Sequence, residues 1–432
     1  METSAAPAIT VTTWPGCPSR LLGEQPGPAR ENSPAYLELG GYRPLADPDE
    51  LLAEVERSGL QGRGGAAFPM AVKLRAVRDN GRLAGGSVVV ANGEEGEPAS
   101  IKDRWLLRHR PHLVLDGLRL AAAMVAADRA YVYMSDKESA RSVEAALTEH
   151  AFGDIMIELI TVAPGYIAGE ETAVTRAING GPVKPTDKPP RPFQKGVGGR
   201  PTLVSNVETL ANLPYLQRHG AAEFRSLGTP SSPGTFLMTL TGGGRPPGVY
   251  EVPHGLPFRD LLALHGVSPE RVQGALLGGY FAGLLNGSVL EATLDHETFR
   301  GLGSGLGCGA IAVIADDCPV AVAASVLAYF DRENASQCGS CFNGTAAMAA
   351  VAGALRDGAA TSEDLDRLRR WSVTLRGRGA CATLDAATNV AGSLLDQFPQ
   401  AVAQHLDSTC EPCRANVFRA GRPYEVEAVI YA

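Results

Sequence analysis

Two turns constrain this chain more than anything else in it. Gly59–Pro69 reads Gly-Leu-Gln-Gly-Arg-Gly-Gly-Ala-Ala-Phe-Pro, and Asn92–Pro98 reads Asn-Gly-Glu-Glu-Gly-Glu-Pro. Glycines let backbone N–H groups approach a phosphate or a flat ring without side-chain interference. The second turn places Glu94, Glu95 and Glu97 directly after Ser87–Ala91, a continuous apolar run that reads as a buried strand. Ligands of open α/β sheets bind at the carboxyl ends of strands. A glycine loop beside such a turn therefore points to a nucleotide-like cofactor. Arg63 within the loop and Lys73, one turn into the helix that follows, add cations to its backbone donors and make a site for anions.

The surrounding periodicity supplies the scaffold. Helices are expected over Asp49–Ser58, Pro69–Asp79, Pro111–Ala127 and Ser139–Glu149, and strands over Ser87–Ala91, Ala130–Met134 and Ile155–Val162. This alternation implies a parallel sheet covered on both faces. Residues 1–46, rich in Pro, Gly and Ala, read as an extended or partly disordered lead-in. The α/β unit is expected over residues 47–225 and contains a long Pro-, Gly- and Lys-rich loop at Gly180–Pro201. Short strands at Thr235–Thr241 and Gly248–Val252 around a helix at Phe258–His265 mark a small α+β unit over residues 233–318. Helical patterns at Ala321–Glu333, Gly344–Arg356, Ser362–Arg376 and Ala387–His405 make a bundle over residues 321–405. A tail, 406–432, ends in an expected strand at Tyr424–Tyr431.

With 432 residues and a net charge of −8, the chain has room for several domains and no basic face for nucleic acid. No run approaches the ~20 apolar residues of a membrane span, and no signal peptide is evident. A cytoplasmic protein is expected, or one held at the inner face of the membrane through a partner. Two further polar turns, Gly169-Glu170-Glu171-Thr172 and the Asn206, Glu208, Thr209 cluster, read equally as helix caps or as ligand contacts. Among 8 cysteines, Cys338-Gly-Ser-Cys341 and Cys381 bring soft thiolates to bundle loops, with Cys410 and Cys413 available in the tail. Such ligands select iron–sulfur clusters or zinc. Cys17, Cys308 and Cys318 read as small buried apolar residues, and His254, His265 and His296 as ordinary surface or cap residues.

In these motifs the chain resembles the NADH-binding flavoprotein subunits of respiratory complex I and their relatives in soluble hydrogenases and formate dehydrogenases. The resemblance rests on Gly62–Pro69, Asn92–Pro98, Gly169–Thr172 and Ser205–Thr209, in that order. It implies a Rossmann-like FMN domain, a β-grasp domain and a four-helix bundle holding a 4Fe–4S cluster. It further implies hydride transfer from NADH, or NADPH, to FMN and electron transfer to the cluster. The electrons would leave to a ferredoxin-like or thioredoxin-fold iron–sulfur subunit, or to a membrane redox partner. Gly62, Arg63, Gly64, Gly65 and Lys73 would cradle FMN. Asn92, Glu94, Gly169, Glu170, Glu171, Asn206 and Thr209 would hold its chain, phosphate or ring. Glu95 and Glu97 would line the nicotinamide side as the catalytic carboxylates, and Phe68 would offer a stacking face.

The chain also departs from the family pattern. Ala67 stands for a glycine, Glu94 for an aspartate, Ala168 for a cysteine beside the flavin, and Ser205 for an asparagine. Arg191 and Ala76 stand where aromatic residues are usual; each lost stacking surface costs about 1–3 kcal/mol of nucleotide binding. The third cysteine of the family's Cys-x-x-Cys-x-x-Cys is missing. The cluster ligands would be Cys338, Cys341 and Cys381, completed by Cys410 or Cys413.

Overall fold

The computed structural model describes residues 9–24, 26–27, 29–415 and 421–426. Its strands are β1 (Thr10–Thr13), β2 (Ser87–Asn92), β3 (Ala127–Met134), β4 (Met156–Thr161), β5 (Thr202–Asn206), β6 (Thr235–Gly242), β7 (Gly248–Pro253), β8 (Gly274–Leu277), β9 (Leu284–Asn286) and β10 (Ala310–Ile314). They form a four-stranded sheet ordered β4-β3-β2-β5 and a six-stranded sheet ordered β1-β7-β6-β10-β8-β9.

The first sheet is parallel throughout. The apolar run of β2 is explained by its two covered faces. Val89 and Ala91 pack into the large core with Leu106 and Leu115, while Val88 and Val90 pack on the other side with Tyr133 and Val174. The crossover helix Pro111–Met124 is buried along most of its length, so it lacks a polar stripe. β2 and β5 both end in asparagine, Asn92 opposite Asn206. Their carboxyl ends open where the glycine loop and the acidic turn meet.

The described part of the lead-in, expected to be extended or partly disordered, supplies a strand, a helix and core residues. Thr10–Thr13 adds a parallel edge strand to β7, Ser33–Glu38 is helical, and Leu21 and Tyr36 are fully buried. Its anchor is the buried carboxylate of Glu251 in β7, which accepts backbone N–H bonds from Arg20 (3.0 Å), Leu21 (2.9 Å) and Leu22 (3.0 Å). Composition carries no trace of an anchor so far along the chain.

The helical bundle comprises Pro319–Glu333, Gly339–Arg356, Ser362–Thr374 and Thr383–Gln397. The helix expected as one piece over Ala387–His405 breaks at Phe398, and a separate helix covers Pro399–Asp407. Proline has no N–H to continue the ladder. The second bundle helix starts earlier than expected, with Cys338 as its N-cap residue, so the Cys338–Cys341 pair straddles a helix start. In the tail Glu411–Arg414 is a short helix, and the Val426 N–H reaches the Pro98 carbonyl (3.0 Å). Tyr424–Val426 are not a strand, and the rest of the expected strand lies outside the described residues. None of the described helices is long and apolar enough to cross a membrane.

Candidate functional site

A cavity of about 440 Å³ lies at the carboxyl ends of β2 and β5. Gly62, Gly64, Gly65, Phe68 and Lys73 wall it on one side, and Asn92, Glu94, Glu95 and Glu97 on another. Gly169, Glu170, Glu171, Asn206 and Thr209 line it as well, and Cys381 enters from the bundle. Four polar turns scattered along the sequence thus open on one space.

The glycine loop is closed by the Gly62 N–H on the Phe68 carbonyl (2.9 Å). Gly65 holds φ +120°, a conformation denied to ordinary side chains. A Cβ on Gly64 would stand 3.1 Å from Asn206 Cβ, and one on Gly169 would stand 2.9 Å from the Glu94 carbonyl. Ala67 occupies a left-handed conformation, φ 49°, where the family's glycine costs nothing. Phe68 leaves half its surface exposed at the cavity.

Arg63 corrects the sequence reading. Its guanidinium does not face the cavity. It is buried against the second sheet, with Nη1 2.7 Å from His254 Nε2 and Nη2 donating to the Thr235 carbonyl (3.1 Å). Only its backbone serves the loop, donating to Thr209 Oγ1 (2.8 Å). His254 is accordingly a buried neutral partner, held well below the usual imidazole range by burial and by Arg63. It is not a surface residue. An arginine inside a glycine loop reads as an anion ligand because its interdomain partners lie about 170–190 positions away.

The three carboxylates of the acidic turn differ. Glu95 is committed: its oxygens accept the N–H groups of Asp103 (3.3 Å) and Arg104 (3.0 Å), so it caps the helix Lys102–His109. Glu97 is half-buried and accepts the Tyr280 N–H (2.8 Å) and the Tyr166 hydroxyl (3.1 Å); desolvation pushes its carboxyl up to about 7. Both oxygens of Glu94 are buried without a hydrogen-bond partner. Burial pushes this carboxyl up to about 7 too, restrained by the nearby Ser135 and Gly165. An unpartnered buried acceptor costs about 1–3 kcal/mol unless a ligand supplies a donor.

The capping and ligand readings of the other turns coincide. Glu170 caps the helix Glu171–Ile178 through the Thr172 and Ala173 N–H groups and also receives Lys188 Nζ (2.6 Å). Asn206 caps Val207–Ala211 with Oδ1 and donates from Nδ2 to Asp103 (2.6 Å). Lys73 Nζ lies 3.7 Å from Glu171 and donates to the Val204 carbonyl (2.5 Å); burial lowers its ammonium, with Glu171 opposing. Arg191 Nη1 stands 3.5 Å from the same Glu171. A buried network escaped the sequence reading: Lys102 Nζ lies 2.7 Å from Asp103 and 2.8 Å from Glu208. Burial raises the Asp103 carboxyl, with Lys102 opposing it. The helix Lys102–His109 is not among the expected elements, and Lys102 and Asp103 carry no local signal that marks them as buried.

Six of the eight cysteines fall into two groups. Cys338, Cys341 and Cys381 belong together: the Cys341 thiol is pushed up to about 12 by burial, then by Cys381 and Cys338. Cys338 Sγ accepts the Ala380 N–H (3.4 Å). Cys410 and Cys413, expected to complete that set, stand with Cys318 and His405. The tail folds back on the start of the first bundle helix, a long-range approach that ligand counting misses. Cys318 is therefore more than a small apolar residue.

FMN fits the cavity, whose glycine walls a Cβ would fill and whose Glu94 lacks a donor. The three thiols of the first group suit a thiolate-bound cluster.

Comparison with known proteins agrees. The Nuo51 FMN-binding domain family matches residues 55–215, and the NADH-ubiquinone oxidoreductase-F iron-sulfur binding region matches residues 321–405. The chain is 33% identical to an F-type subunit of NADH-quinone oxidoreductase from Rhizobium meliloti, over 86% of this chain and 94% of that one. It is 32% identical to the HndC subunit of the NADP-reducing hydrogenase of Solidesulfovibrio fructosivorans, over 91% of this chain and 84% of that one. Its fold superimposes on a chain of NAD+-reducing [NiFe]-hydrogenase with a TM-score of 0.77 at 32% identity, covering 84% of this chain and 63% of that one.

Proposed function

Because the chain belongs to the family of F-type subunits of NADH-quinone oxidoreductase, we propose a residue-by-residue assignment of its redox site. The chain is an oxidoreductase flavoprotein subunit that passes electrons from NAD(P)H through FMN to a 4Fe–4S cluster, and its relatives work as subunits of larger assemblies. The observation that carries the assignment is the shared cavity: the glycine loop, the acidic turn, Gly169–Glu171, Asn206 and Cys381 all meet there.

When bound, FMN accepts the hydride of the reduced nicotinamide and parts with electrons singly. Gly62, Gly64 and Gly65 give it close backbone approach, and Lys73 supplies a cation for its phosphate. Glu94 accepts from its hydroxyl or ring N–H donors. Thr209, Asn92 and Asn206 hold the loop ends that shape the pocket. Glu97 faces the nicotinamide side, while Glu95 is a positioning residue that fixes the turn. Phe68 offers its exposed face for stacking. Cys338, Cys341 and Cys381 would hold the cluster, while Cys410 and Cys413 stand apart with Cys318 and His405. A partner iron–sulfur subunit of ferredoxin-like or thioredoxin fold receives the electrons, on the cytoplasmic side.

Anaerobic titration of the purified protein with NADH, followed by visible absorbance, tests this. Bleaching of the flavin band together with the iron–sulfur shoulder is expected. Bound flavin that stays oxidised with NADH and with NADPH would sink the donor assignment, and a protein without flavin would sink the whole. Lys188 and Arg191, paired with the cavity-lining Glu170 and Glu171, favour a second reading, in which NADPH is preferred; the parallel NADPH titration decides it.

A further inference from the structure

We infer that Cys318, His405, Cys410 and Cys413 form a closed site for a single tetrahedral metal ion, zinc by its chemistry, separate from the redox site. One donor atom from each of the four lies within 4.8 Å of every other. His405 Nε2 is 3.6 Å from Cys318 Sγ and 3.4 Å from Cys413 Sγ. A zinc ion with Zn–S near 2.3 Å and Zn–N near 2.0–2.1 Å separates tetrahedral N and S donors by about 3.6 Å, and two S donors by about 3.8 Å. The spacing matches a mononuclear ion. An iron–sulfur cubane spreads its cysteines farther apart than one ion does.

The histidine is set for ligation. Its Nδ1 lies 2.7 Å from the Ala401 carbonyl, an acceptor only, so Nδ1 carries the proton and Nε2 keeps its lone pair toward the thiols. His405 and Cys318 are almost wholly buried. Three thiolates and one imidazole exclude hard cations and leave no open position, the mark of a structural site. The family's iron–sulfur match ends at residue 405, so Cys410 and Cys413 lie beyond it.

The ion clips the tail to the bundle. The sequence offers His405-x4-Cys410-x2-Cys413 against Cys318 at the head of Pro319–Glu333. Farther along, the Tyr424 hydroxyl donates to Asp317, beside Cys318 (2.9 Å), and Val426 bonds Pro98, next to Glu97.

Metal analysis of the full-length holoprotein tests the inference. About one zinc per chain is expected, retained through desalting and lost in both Cys413→Ser and His405→Gln, with flavin and iron contents unchanged. Cobalt(II) exchanged into the unaltered chain should give thiolate charge-transfer and intense tetrahedral d–d absorption, a readout that survives if either variant fails to fold. A zinc-free protein without a cobalt spectrum, a disulfide among these cysteines after reductive purification, or a second complement of iron and sulfide lost in these variants would each overturn it.

Discussion

The flavin cavity and the tail's cysteine–histidine group solve the same problem in opposite ways. In the cavity, Glu94 presents both carboxylate oxygens without a partner, and the glycine walls leave space. In the tail group the spare histidine nitrogen is already bonded and the donors face one another at ligand spacing. The cavity stays chemically incomplete until a large ligand brings donors; the tail group lacks only an ion. A pocket for an organic cofactor tolerates unsatisfied groups at its floor, whereas a structural metal site is assembled by the fold around it.

The sharpest way to break this contrast is through Arg63, which ties the glycine loop to the second sheet. Arg63→Ala removes a buried guanidinium and strands the His254 and Thr235 partners. We expect a loss of about 3 kcal/mol in denaturant unfolding together with reduced flavin content, while zinc stays. Loss of zinc in parallel with flavin would show that the two sites are one cooperative unit.

The next effect depends on pH. Glu94 and Glu97 have carboxyls raised to about 7 in the folded chain, against 4.5 in the unfolded one. Between these values the folded state holds protons that the unfolded state releases. The stability of flavin-free protein therefore falls as pH rises from 4.5 to about 7 and changes little from these groups above that. Thermal unfolding of Glu94→Gln should show a shallower fall, and that of Cys413→Ser an unaltered one. An identical slope in wild type and Glu94→Gln would remove Glu94 from the account.

The smallest effect is at Ala67, whose φ of 49° penalises a side chain. Ala67→Gly should stabilise the chain by about 0.5–1 kcal/mol and leave FMN binding equal or tighter, measured by flavin fluorescence titration. A destabilised variant would mean that the alanine methyl is packed to advantage.

Legibility in the sequence followed the distance over which residues interact. β2, Pro111–Met124 and the glycine loop were readable because apolar runs, periodicity and φ-permissive residues are local properties. Pro399 was a readable stop that the helical pattern around it masked. The inward turn of Arg63, the capping role of Glu95, the burial of Lys102 and the convergence of Cys318 with Cys410 and Cys413 depend on tertiary partners. Nothing at those positions distinguishes a surface charge or a lone thiol from a buried, partnered one.

Glu251 gives the lead-in a timetable. The carboxylate that gathers the backbone of Arg20, Leu21 and Leu22 is encoded 231 positions after Arg20. At synthesis rates of about 5–20 residues per second, on the order of ten to fifty seconds separate the two. For that interval Leu21 and Leu22, buried in the finished protein, have emerged without their seat. The segment around Leu21 and Leu22 thus settles long after it is made, and a nascent chain stalled before β7 would present this segment to proteases and chaperones.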